Sequence, residues 1–288
     1  MKIVGRTHEL DQIMACLEAG RNILLEGPVG VGKTRLAIDA AEKLKRDVYR
    51  IDGDGRYSEQ KISGWFDPPT VIKVGYSEKS FVPGPLVSAM REGGILFINE
   101  MNRLPEGVQN VLLPAIDEKK IQLPKLGEIS AKKGFSVIAT QNPKEFVATS
   151  HLSEAILDRF ELIALDYQSA EEESEIVKQT VKSDEIVTAA VWIARLTRNH
   201  EKIRRGASIR AAQSIGEIAE ALMKRKQDFS QAILAAALLA LPTRIELEQS
   251  GDSGTERDAE SKSIIEQITA RVMESIRTNR IDDLKKKT

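Results

Sequence analysis

Hydrophobic and polar positions follow two different patterns along this chain of 288 residues. In the first half, short continuous apolar runs stand between segments with the helical spacing of about 3.6 residues. Such runs are typical of strands that are buried on both faces of a parallel sheet. Strands that alternate with helices predict an α/β fold with a doubly wound parallel sheet. The predicted strands are Asn22–Leu25, Val48–Ile51, Ile95–Ile98, Phe135–Ala139 and Leu162–Leu165.

In the second half the strand pattern stops, and only helical spacing is found. We therefore predict a domain boundary near Tyr167, between an α/β domain over residues 1–167 and an all-α domain over residues 168–245. Residues 246–288 are predicted to hold a polar linker, Gln249–Thr255, and a final amphipathic helix that needs a surface to cover. The other predicted helices of this half are Glu171–Thr180, Ile186–Arg198, Ser208–Lys226 and Ser230–Leu241.

The composition is that of a globular protein and weighs against several classes of function. Acidic and basic residues nearly balance, with a formal net charge of −1, so no overall field favours nucleic acid or an anionic membrane. The single cysteine, Cys16, excludes an internal disulfide. The segment Met1–Leu10 is too polar for a signal peptide, and no apolar run approaches the roughly 20 residues that span a bilayer. We expect a soluble, cytoplasmic protein without a membrane span.

The most specific chemical motif directly follows the first predicted strand. Residues 27–34 match the pattern G-x-x-x-x-G-K-[ST] between a strand and a helix. The glycines let backbone N–H groups turn toward phosphates, and the helix N-terminus adds positive potential. Lys33 is expected to reach the β- and γ-phosphates of ATP, and the Thr34 hydroxyl to ligate Mg²⁺. Nucleotide contacts are assigned to Gly27, Pro28, Val29, Gly30, Val31, Gly32, Lys33, Thr34 and Arg35.

Two polar residues, Asn99 and Glu100, directly follow the predicted strand Ile95–Ile98. Open α/β sheets bind ligands at the carboxyl ends of their strands, so Glu100 is predicted to be the general base that polarises water. Asn99 stands where an Asp usually holds the Mg²⁺ shell. Asn can accept a hydrogen bond from a metal-bound water molecule but adds no counter-charge. We therefore expect a functional but slower or weaker Mg²⁺ site, with a nucleotide binder that hardly hydrolyses as the alternative.

Three further polar residues are candidates for the same site. Asn142 follows the fourth predicted strand and is expected to position water against the γ-phosphate, unless it only forms a turn. Arg159 precedes the last strand and is expected to reach a neighbouring subunit's γ-phosphate, with a salt bridge to Asp158 or Glu154 as the alternative. Arg210 lies in the first turn of a helix, where a cation opposes the helix dipole. Its expected partner is the γ-phosphate, and a solvated charge is the alternative.

In this order, the motifs resemble those of AAA+ ATPases, and more narrowly those of the MoxR family in the helix-2-insert branch. The matching segments, all within residues 1–245, are NILLEGPVGVGKT, FVPGPLVSAM, GILFINEMNR, VIATQNP, LSEAILDRF and GASIRA. The resemblance implies a P-loop AAA+ core followed by an all-α lid, with Val4 and Gly5 in the segment that packs near adenine. The implied roles are Walker A for Lys33 and Thr34, Walker B for Glu100, sensor 1 for Asn142, arginine finger for Arg159 and sensor 2 for Arg210.

The same resemblance assigns two inserted segments. Residues 63–83 interrupt the sheet between its second and third strands and correspond to the insert in helix 2, and residues 119–135 are predicted to form a β-hairpin. In related ring ATPases both project toward the pore or one ring face. Trp65, Phe66 and Tyr76 therefore either grip a substrate or pack the insert onto the core. A solvated loop or, alternatively, nucleic-acid contact would explain the basic residues Lys119, Lys120, Lys125, Lys132 and Lys133.

The resemblance thus implies a Mg²⁺-dependent ATPase that forms a ring, expected to be a homo-hexamer, in which Arg159 acts on a neighbouring site. Its expected role is chaperone-like: it remodels or activates a protein client, for complex maturation or metal insertion, with a von Willebrand factor A domain protein as partner. Three alternatives stay open. They are a nucleic-acid-dependent motor, which the neutral charge opposes, a magnesium-chelatase-like subunit, and a nucleotide-gated scaffold with little hydrolysis, which Asn99 motivates.

Overall fold

The chain divides into two compact units. The α/β unit is Arg6–Asp166, and the helical unit joins Met1–Gly5 to Tyr167–Thr288. We expected the N-terminal segment in the α/β domain, but it belongs to the helical unit, where Val4 accepts a hydrogen bond from Gln168. The computed structural model describes residues 3–142, 152–248, 254–281 and 284.

The α/β unit alternates helices and strands, and each predicted strand is present with ends within two residues of those predicted. A short 3-10 turn, Met101–Arg103, follows the strand Ile95–Asn99. In chain order the elements are α1 (Thr7–Glu18), β1 (Ile23–Glu26), α2 (Lys33–Lys43), β2 (Val48–Asp52), α3 (Glu59–Ser63), β3 (Gly64–Phe66), α4 (Pro68–Val74), β4 (Phe81–Pro83), α5 (Pro85–Glu92), β5 (Ile95–Asn99), α6 (Glu106–Asp117), β6 (Lys120–Leu123), β7 (Gly127–Ser130), β8 (Ser136–Gln141), α7 (Glu154–Leu157) and β9 (Glu161–Ala164).

Five of these strands form one parallel sheet in the order β2–β5–β8–β1–β9. Its central strands are buried, as Leu24, Ile98 and Val137 illustrate, which explains why they appear in the sequence as continuous apolar runs. Each such side chain contributes about 1.5–3 kcal/mol through its removal from water. The predicted parallel α/β core is therefore confirmed.

The register of this sheet decides which side chains meet at its carboxyl edge. Strand β2 pairs with β5 so that Asp52 lies opposite Asn99. Strand β1 pairs with β8 so that Glu26 lies opposite Gln141. Because open α/β sheets bind ligands outside this edge, the polar residues that end the strands are placed for a binding site.

Two small antiparallel pairs account for the inserted segments. Strands β6 and β7 pair with Ile121 opposite Ile129, which confirms the predicted hairpin. Both isoleucines are buried and join the core of the α/β unit. Strands β3 and β4 pair with Trp65 opposite Val82, and α4 lies between them in the chain. The segment 63–83 is therefore a structured excursion between β2 and β5.

The helical unit contains one feature that the sequence did not predict. We expected no strands after the α/β domain, but Ile203–Arg205 pairs with Glu246–Leu247 in an antiparallel ladder that is too short to give an apolar pattern. Part of the predicted linker lies outside the described residues, and the last helix begins at Gly254. The elements are α8 (Ala170–Lys178), α9 (Asp184–Arg198), β10 (Ile203–Arg205), α10 (Ile209–Lys224), α11 (Phe229–Ala240), β11 (Glu246–Leu247) and α12 (Gly254–Arg277).

The last helix, α12, packs on α9 and α11 of the same unit. Its predicted apolar stripe is buried in the cluster that also contains Ala190 of α9 and Ile233 of α11. Helix α12 is therefore part of the core of the helical unit. No helix in the described part of the chain combines the length and the apolar character that crossing a membrane requires. The buried stripe residues are Ile264, Ile265, Ile268, Val272 and Met273.

Replacing Ile265 with Ala should destabilise the helical unit by about 2–5 kcal/mol, because the side chain is fully buried and its loss leaves a cavity. The matched control is Gln267→Ala on the exposed side of α12, which should change stability by less than about 0.5 kcal/mol. Urea unfolding would be followed by the fluorescence of buried Trp192, after Trp65→Phe removes the other tryptophan. Equal midpoints for the two variants would argue against this packing of α12.

Candidate nucleotide-binding site

A glycine-rich loop joins the end of β1 to the start of α2. Gly27, Gly30 and Gly32 have positive φ angles of 155°, 84° and 95°, which other residues rarely adopt. A Cβ atom on Gly27 would lie 2.2 Å from the backbone oxygen of Leu165, so the loop packs closely there. A Cβ atom on Gly32, the N-cap of α2, would meet nothing within 4 Å. The loop is therefore open where α2 begins, as phosphate binding at a helix N-terminus requires.

The first residues of α2 hold the groups that we expected to contact phosphate and metal. The ammonium group of Lys33 donates to the carbonyl oxygens of Gly27 and Pro28 at 2.6 and 2.9 Å, which keeps it at the loop. The Thr34 hydroxyl lies 3.5 Å from Oδ1 of Asn99. Arg35 pairs with Asp39 of the same helix at 2.7 Å, and its contact with nucleotide stays a prediction.

Asn99 joins three strands at the carboxyl edge of the sheet. Its Oδ1 accepts a hydrogen bond from the Thr140 hydroxyl at 3.1 Å, and its Nδ2 donates to Oδ1 of Asp52 at 3.0 Å. Its backbone oxygen accepts from the N–H of Gly53 at 2.7 Å. Because both ends of the amide have partners, the side chain is fixed with its oxygen on the side of Thr34.

Asp52 is held in turn by Arg50 on the same strand. Arg50 donates from Nε and Nη2 to the two carboxylate oxygens at 2.9 and 2.7 Å. These hydrogen bonds lower the pKa of Asp52, and the bond from Asn99 acts in the same direction, although desolvation opposes them. The carboxylate is therefore ionised at neutral pH. Sequence reasoning missed Asp52, although it directly follows a predicted strand, the signal that selected Asn99 and Glu100.

Glu100 lies in the turn that follows β5, with φ and ψ both 55°, a left-handed conformation that is uncommon outside glycine. Its N–H donates to the Thr140 hydroxyl at 2.9 Å, and its carboxylate pairs with Arg103 at 2.8 Å. A Cβ atom on Gly53 would lie 2.0 Å from the Glu100 backbone oxygen, so the loop after β2 packs closely on this turn. Strained backbone of this kind clusters at functional sites.

Asn142 and Arg159, the other two predicted residues of the α/β unit, lie near the ends of its strands. Asn142 directly follows β8 and is buried. Arg159 precedes β9 and donates to the carboxylate of Asp117 at 2.6 Å. The expected alternative partners, Asp158 and Glu154, are therefore replaced by Asp117 at the end of α6, which sequence spacing could not indicate.

Three predicted nucleotide contacts belong to the helical unit, and their roles stay predictions. The carbonyl oxygen of Val4 accepts a hydrogen bond from Gln168 at 2.6 Å. Gly5 has a φ of 63°, and an added Cβ atom would lie 2.1 Å from Oε1 of Glu172. Arg210 is exposed in the first turn of α10, as the sequence predicted.

The aromatic residues of the inserted segment divide between packing and exposure. The Phe66 ring makes edge-to-face contacts with Tyr76 and Phe81 at centroid distances of 5.0 and 5.2 Å. Trp65 and Tyr76 keep 46% and 58% of their surface exposed. Phe66 therefore packs the insert, whereas Trp65 and Tyr76 leave about half of their surface exposed.

Two of the hairpin lysines are engaged within the hairpin region. Lys120 pairs with Glu128 across the two strands at 2.9 Å. The ammonium group of Lys119 lies 5.5 Å from the centroid of the Phe135 ring, and burial lowers the pKa of this lysine. These contacts reduce the charge that the hairpin can offer to nucleic acid.

The oxygen atoms beside the loop are those that Mg²⁺ prefers. Thr34 and Asn99 supply a hydroxyl and an amide oxygen there, and Asp52 adds a carboxylate next to the amide nitrogen of Asn99. No group of three or more His, Cys, Asp or Glu side chains in the described ranges could hold a metal by itself. Mg²⁺ that arrives with a nucleotide needs few protein ligands, because phosphates and water complete its shell. The residues present therefore fit a Mg²⁺–nucleotide complex.

A glycine-rich loop between a strand and a helix, with polar residues ending the adjacent strands, defines a P-loop nucleotide-binding protein. Residues 22–160 match the AAA domain of the dynein-related subfamily. The chain belongs to the AAA+ ATPase family, and its enzymatic activity is ATP hydrolysis.

The chain is also similar to two bacterial relatives and to a solved structure. An uncharacterized protein of Staphylococcus saprophyticus is 31% identical over 211 residues, which cover 70% of this chain and 80% of the relative. One from Staphylococcus aureus USA300 is 32% identical over 192 residues, covering 66% and 71%. The RuvB Holliday junction branch migration motor of Thermotoga maritima has a TM-score of 0.53 at 19% identity, covering 82% of this chain and 70% of RuvB. The likeness to RuvB shows a shared fold.

Gly53→Ala should disturb the site, because the new methyl group would meet the backbone oxygen of Glu100 and force the chain to move. We expect a loss of about 1–3 kcal/mol in the free energy of unfolding, together with slower ATP turnover. The matched control is Gly55→Ala, whose methyl group would meet nothing within 4 Å. Urea unfolding and phosphate release measure both effects. If the two variants behave alike, the close contact between Gly53 and Glu100 is wrong.

Proposed function

We propose that the protein couples Mg²⁺-dependent ATP hydrolysis to the remodelling or activation of a protein client, as a chaperone-like ring ATPase of the MoxR type. The observation that carries the hydrolytic part is a hydrogen-bonded chain at the sheet edge. The N–H of Glu100 donates to Thr140, whose hydroxyl donates to Asn99, which faces Thr34. A base, a metal-binding hydroxyl and a phosphate loop are the groups that phosphoryl transfer needs.

Each residue has a separate task in this proposal. Lys33 and the N–H groups of the loop bind the phosphates. Thr34 would hold Mg²⁺ directly and Asn99 through a water molecule, and the ion would supply positive charge against the phosphates. Glu100 accepts a proton from the attacking water molecule. Its Oε2 is paired with Arg103 at 2.8 Å, and the second carboxylate oxygen can still accept a proton.

Five further residues complete the proposed site. Asn142 orients the attacking water, Arg210 contacts the γ-phosphate, and Val4 with Gly5 packs near adenine. Arg159 acts on the site of a neighbouring subunit in a homo-hexamer. Its pair with Asp117 is partly exposed, so opening it costs roughly 0–1 kcal/mol and leaves the guanidinium available.

The client and the partner follow from the MoxR resemblance. We propose a von Willebrand factor A domain protein as partner, and maturation of a complex or metal insertion as the outcome. The exposed rings of Trp65 and Tyr76 support this proposal, because exposed aromatic side chains supply contact area for proteins. The paired Lys120 and the buried ammonium group of Lys119 disfavour nucleic acid as the client.

Glu100→Gln should lower the rate of phosphate release by about 10²–10⁴-fold, because the amide cannot accept the proton from water. ATP binding, measured by titration with a fluorescent analogue, should persist. The matched control is Glu106→Gln in the exposed first turn of α6, which should keep the wild-type rate. If wild type and Glu100→Gln release phosphate equally slowly, the protein is a nucleotide-gated scaffold instead.

Arg159→Ala should reduce hydrolysis about 10³-fold or more in the assembled protein, if Arg159 acts in trans on transition-state charge. Mixing Arg159→Ala subunits with Glu100→Gln subunits should restore part of the activity, because some sites then combine an intact Glu100 with a neighbour's Arg159. The matched control is Arg21→Ala, which removes an exposed arginine that pairs with Glu161. A mixture that stays inactive while mixed rings form would rule out action between subunits.

A further inference from the structure

Because the side chain of Asn99 is neutral, the proposed Mg²⁺ site lacks the negative charge that a carboxylate at this position would provide. Mg²⁺ in nucleotide sites is usually bound by one or two carboxylates in addition to phosphates. Thr34 and Asn99 are both uncharged, and Glu100 is assigned to the attacking water molecule. A carboxylate from another element would balance the ion. The structure contains such a group beside Asn99.

That carboxylate is Asp52, at the end of the neighbouring strand β2. The parallel register puts Asp52 opposite Asn99, and Nδ2 of Asn99 donates to Oδ1 of Asp52 at 3.0 Å. The N–H of Gly53 donates to the backbone oxygen of Asn99 at 2.7 Å, which fixes the two strand ends together. The pair is therefore built by the backbone as well as by the side chains.

The hydrogen bonds also determine which way the Asn99 amide faces. The Thr140 hydroxyl accepts from the N–H of Glu100 and donates to Oδ1 of Asn99. The amide oxygen therefore lies on the side of Thr34, and the amide nitrogen on the side of Asp52. A hydrogen bond to a carboxylate polarises the amide and makes its oxygen a stronger acceptor for a metal-bound water molecule.

We propose that Asp52 supplies the negative charge that Asn99 lacks, and that it positions and polarises Asn99 for the Mg²⁺–nucleotide complex. Asp52 is in this view a positioning residue: it acts through Asn99. The inference rests on the proposed Mg²⁺-dependent ATPase function. Asn99 on β5 and Asp52 on β2 would together do what a single Asp at position 99 would otherwise do, which is to orient and balance the ion.

Arg50 does not remove Asp52 from this role. It pairs with Asp52 through two hydrogen bonds, but both side chains are about half exposed. Even a bidentate pair is screened by water and salt when both side chains are half exposed, so the carboxylate keeps part of its attraction for a cation. Arg50 also fixes the carboxylate so that Oδ1 faces Asn99.

The test exchanges the carboxylate of Asp52 and the amide of Asn99 in the whole chain of 288 residues. Variants Asp52→Asn, Asn99→Asp and the double variant would be titrated with a fluorescent ADP analogue, once in EDTA and once in excess Mg²⁺. The measured quantity is the ratio of the two dissociation constants, which reports Mg²⁺ binding without hydrolysis. The matched control is Asp54→Asn, which removes the same charge two residues along, from a carboxylate that pairs with Arg56.

Asp52→Asn should reduce the Mg²⁺-dependent tightening about tenfold or more, the usual effect of removing a partner that orients a metal-binding group. Affinity in EDTA should stay unchanged, because the phosphate loop is intact. The double variant should recover most of the tightening, since it returns one carboxylate to the pair. Asp54→Asn should match wild type.

The outcomes separate this inference from the function on which it rests. If wild type binds the analogue equally with and without Mg²⁺, the proposed Mg²⁺-dependent function fails. If wild type shows the tightening and Asp52→Asn keeps it, only the role of Asp52 is wrong. Circular dichroism and thermal melting of each variant show whether the fold is retained. If Asp52→Asn unfolds, the double variant is the deciding test. Wild-type tightening of the ADP analogue by Mg²⁺ in the double variant supports the role of Asp52. Weak tightening in a folded double variant contradicts it.

Discussion

The pairing of β2 with β5 is the constraint on which the rest of the site depends. Its register places Asp52 opposite Asn99, and the next pairing along the sheet brings Thr140 of β8 to the same edge. A shift of one residue would turn these side chains to opposite faces of the sheet. The hydrogen bonds of the Asn99 amide then fix the edge, so that Thr34 of α2 faces a prearranged oxygen.

Close packing between backbone segments also fixes the carboxyl edge of the sheet, in addition to the hydrogen bonds. Gly53 lies against the backbone of Glu100, and Gly27 lies against the backbone of Leu165. Neither position has space for a Cβ atom. Glu100 is thereby held in a left-handed conformation that a free chain would rarely adopt. In the proposed role of Glu100 as a base, a backbone held this way needs little reorganisation when substrate binds.

Local patterns in the sequence predicted the strands, the phosphate loop, the hairpin and the buried stripe of α12, because each depends on neighbouring residues. Contacts set by strand order were not predictable. Arg159 reaches Asp117 from 42 residues away, and Asp52 reaches Asn99 from 47. The ladder between β10 and β11 was missed because strands of three and two residues carry no periodic signal. Spacing can select candidate residues at strand ends, but only the sheet order decides which of them touch.

In the proposed site the negative charge lies on Asp52 of β2 and not on residue 99 of β5. This difference affects how strongly the site would hold Mg²⁺. A carboxylate in direct contact attracts Mg²⁺ more strongly than one that acts through an amide, since attraction falls with distance. In the proposed site, Asn99 and Asp52 would therefore orient the ion with a weaker hold on it. In enzymes whose turnover is limited by product release, a weaker hold on Mg²⁺–ADP favours release. A neutral residue at Asn99 is thus compatible with a working ATPase, provided that the neighbouring strand supplies the charge.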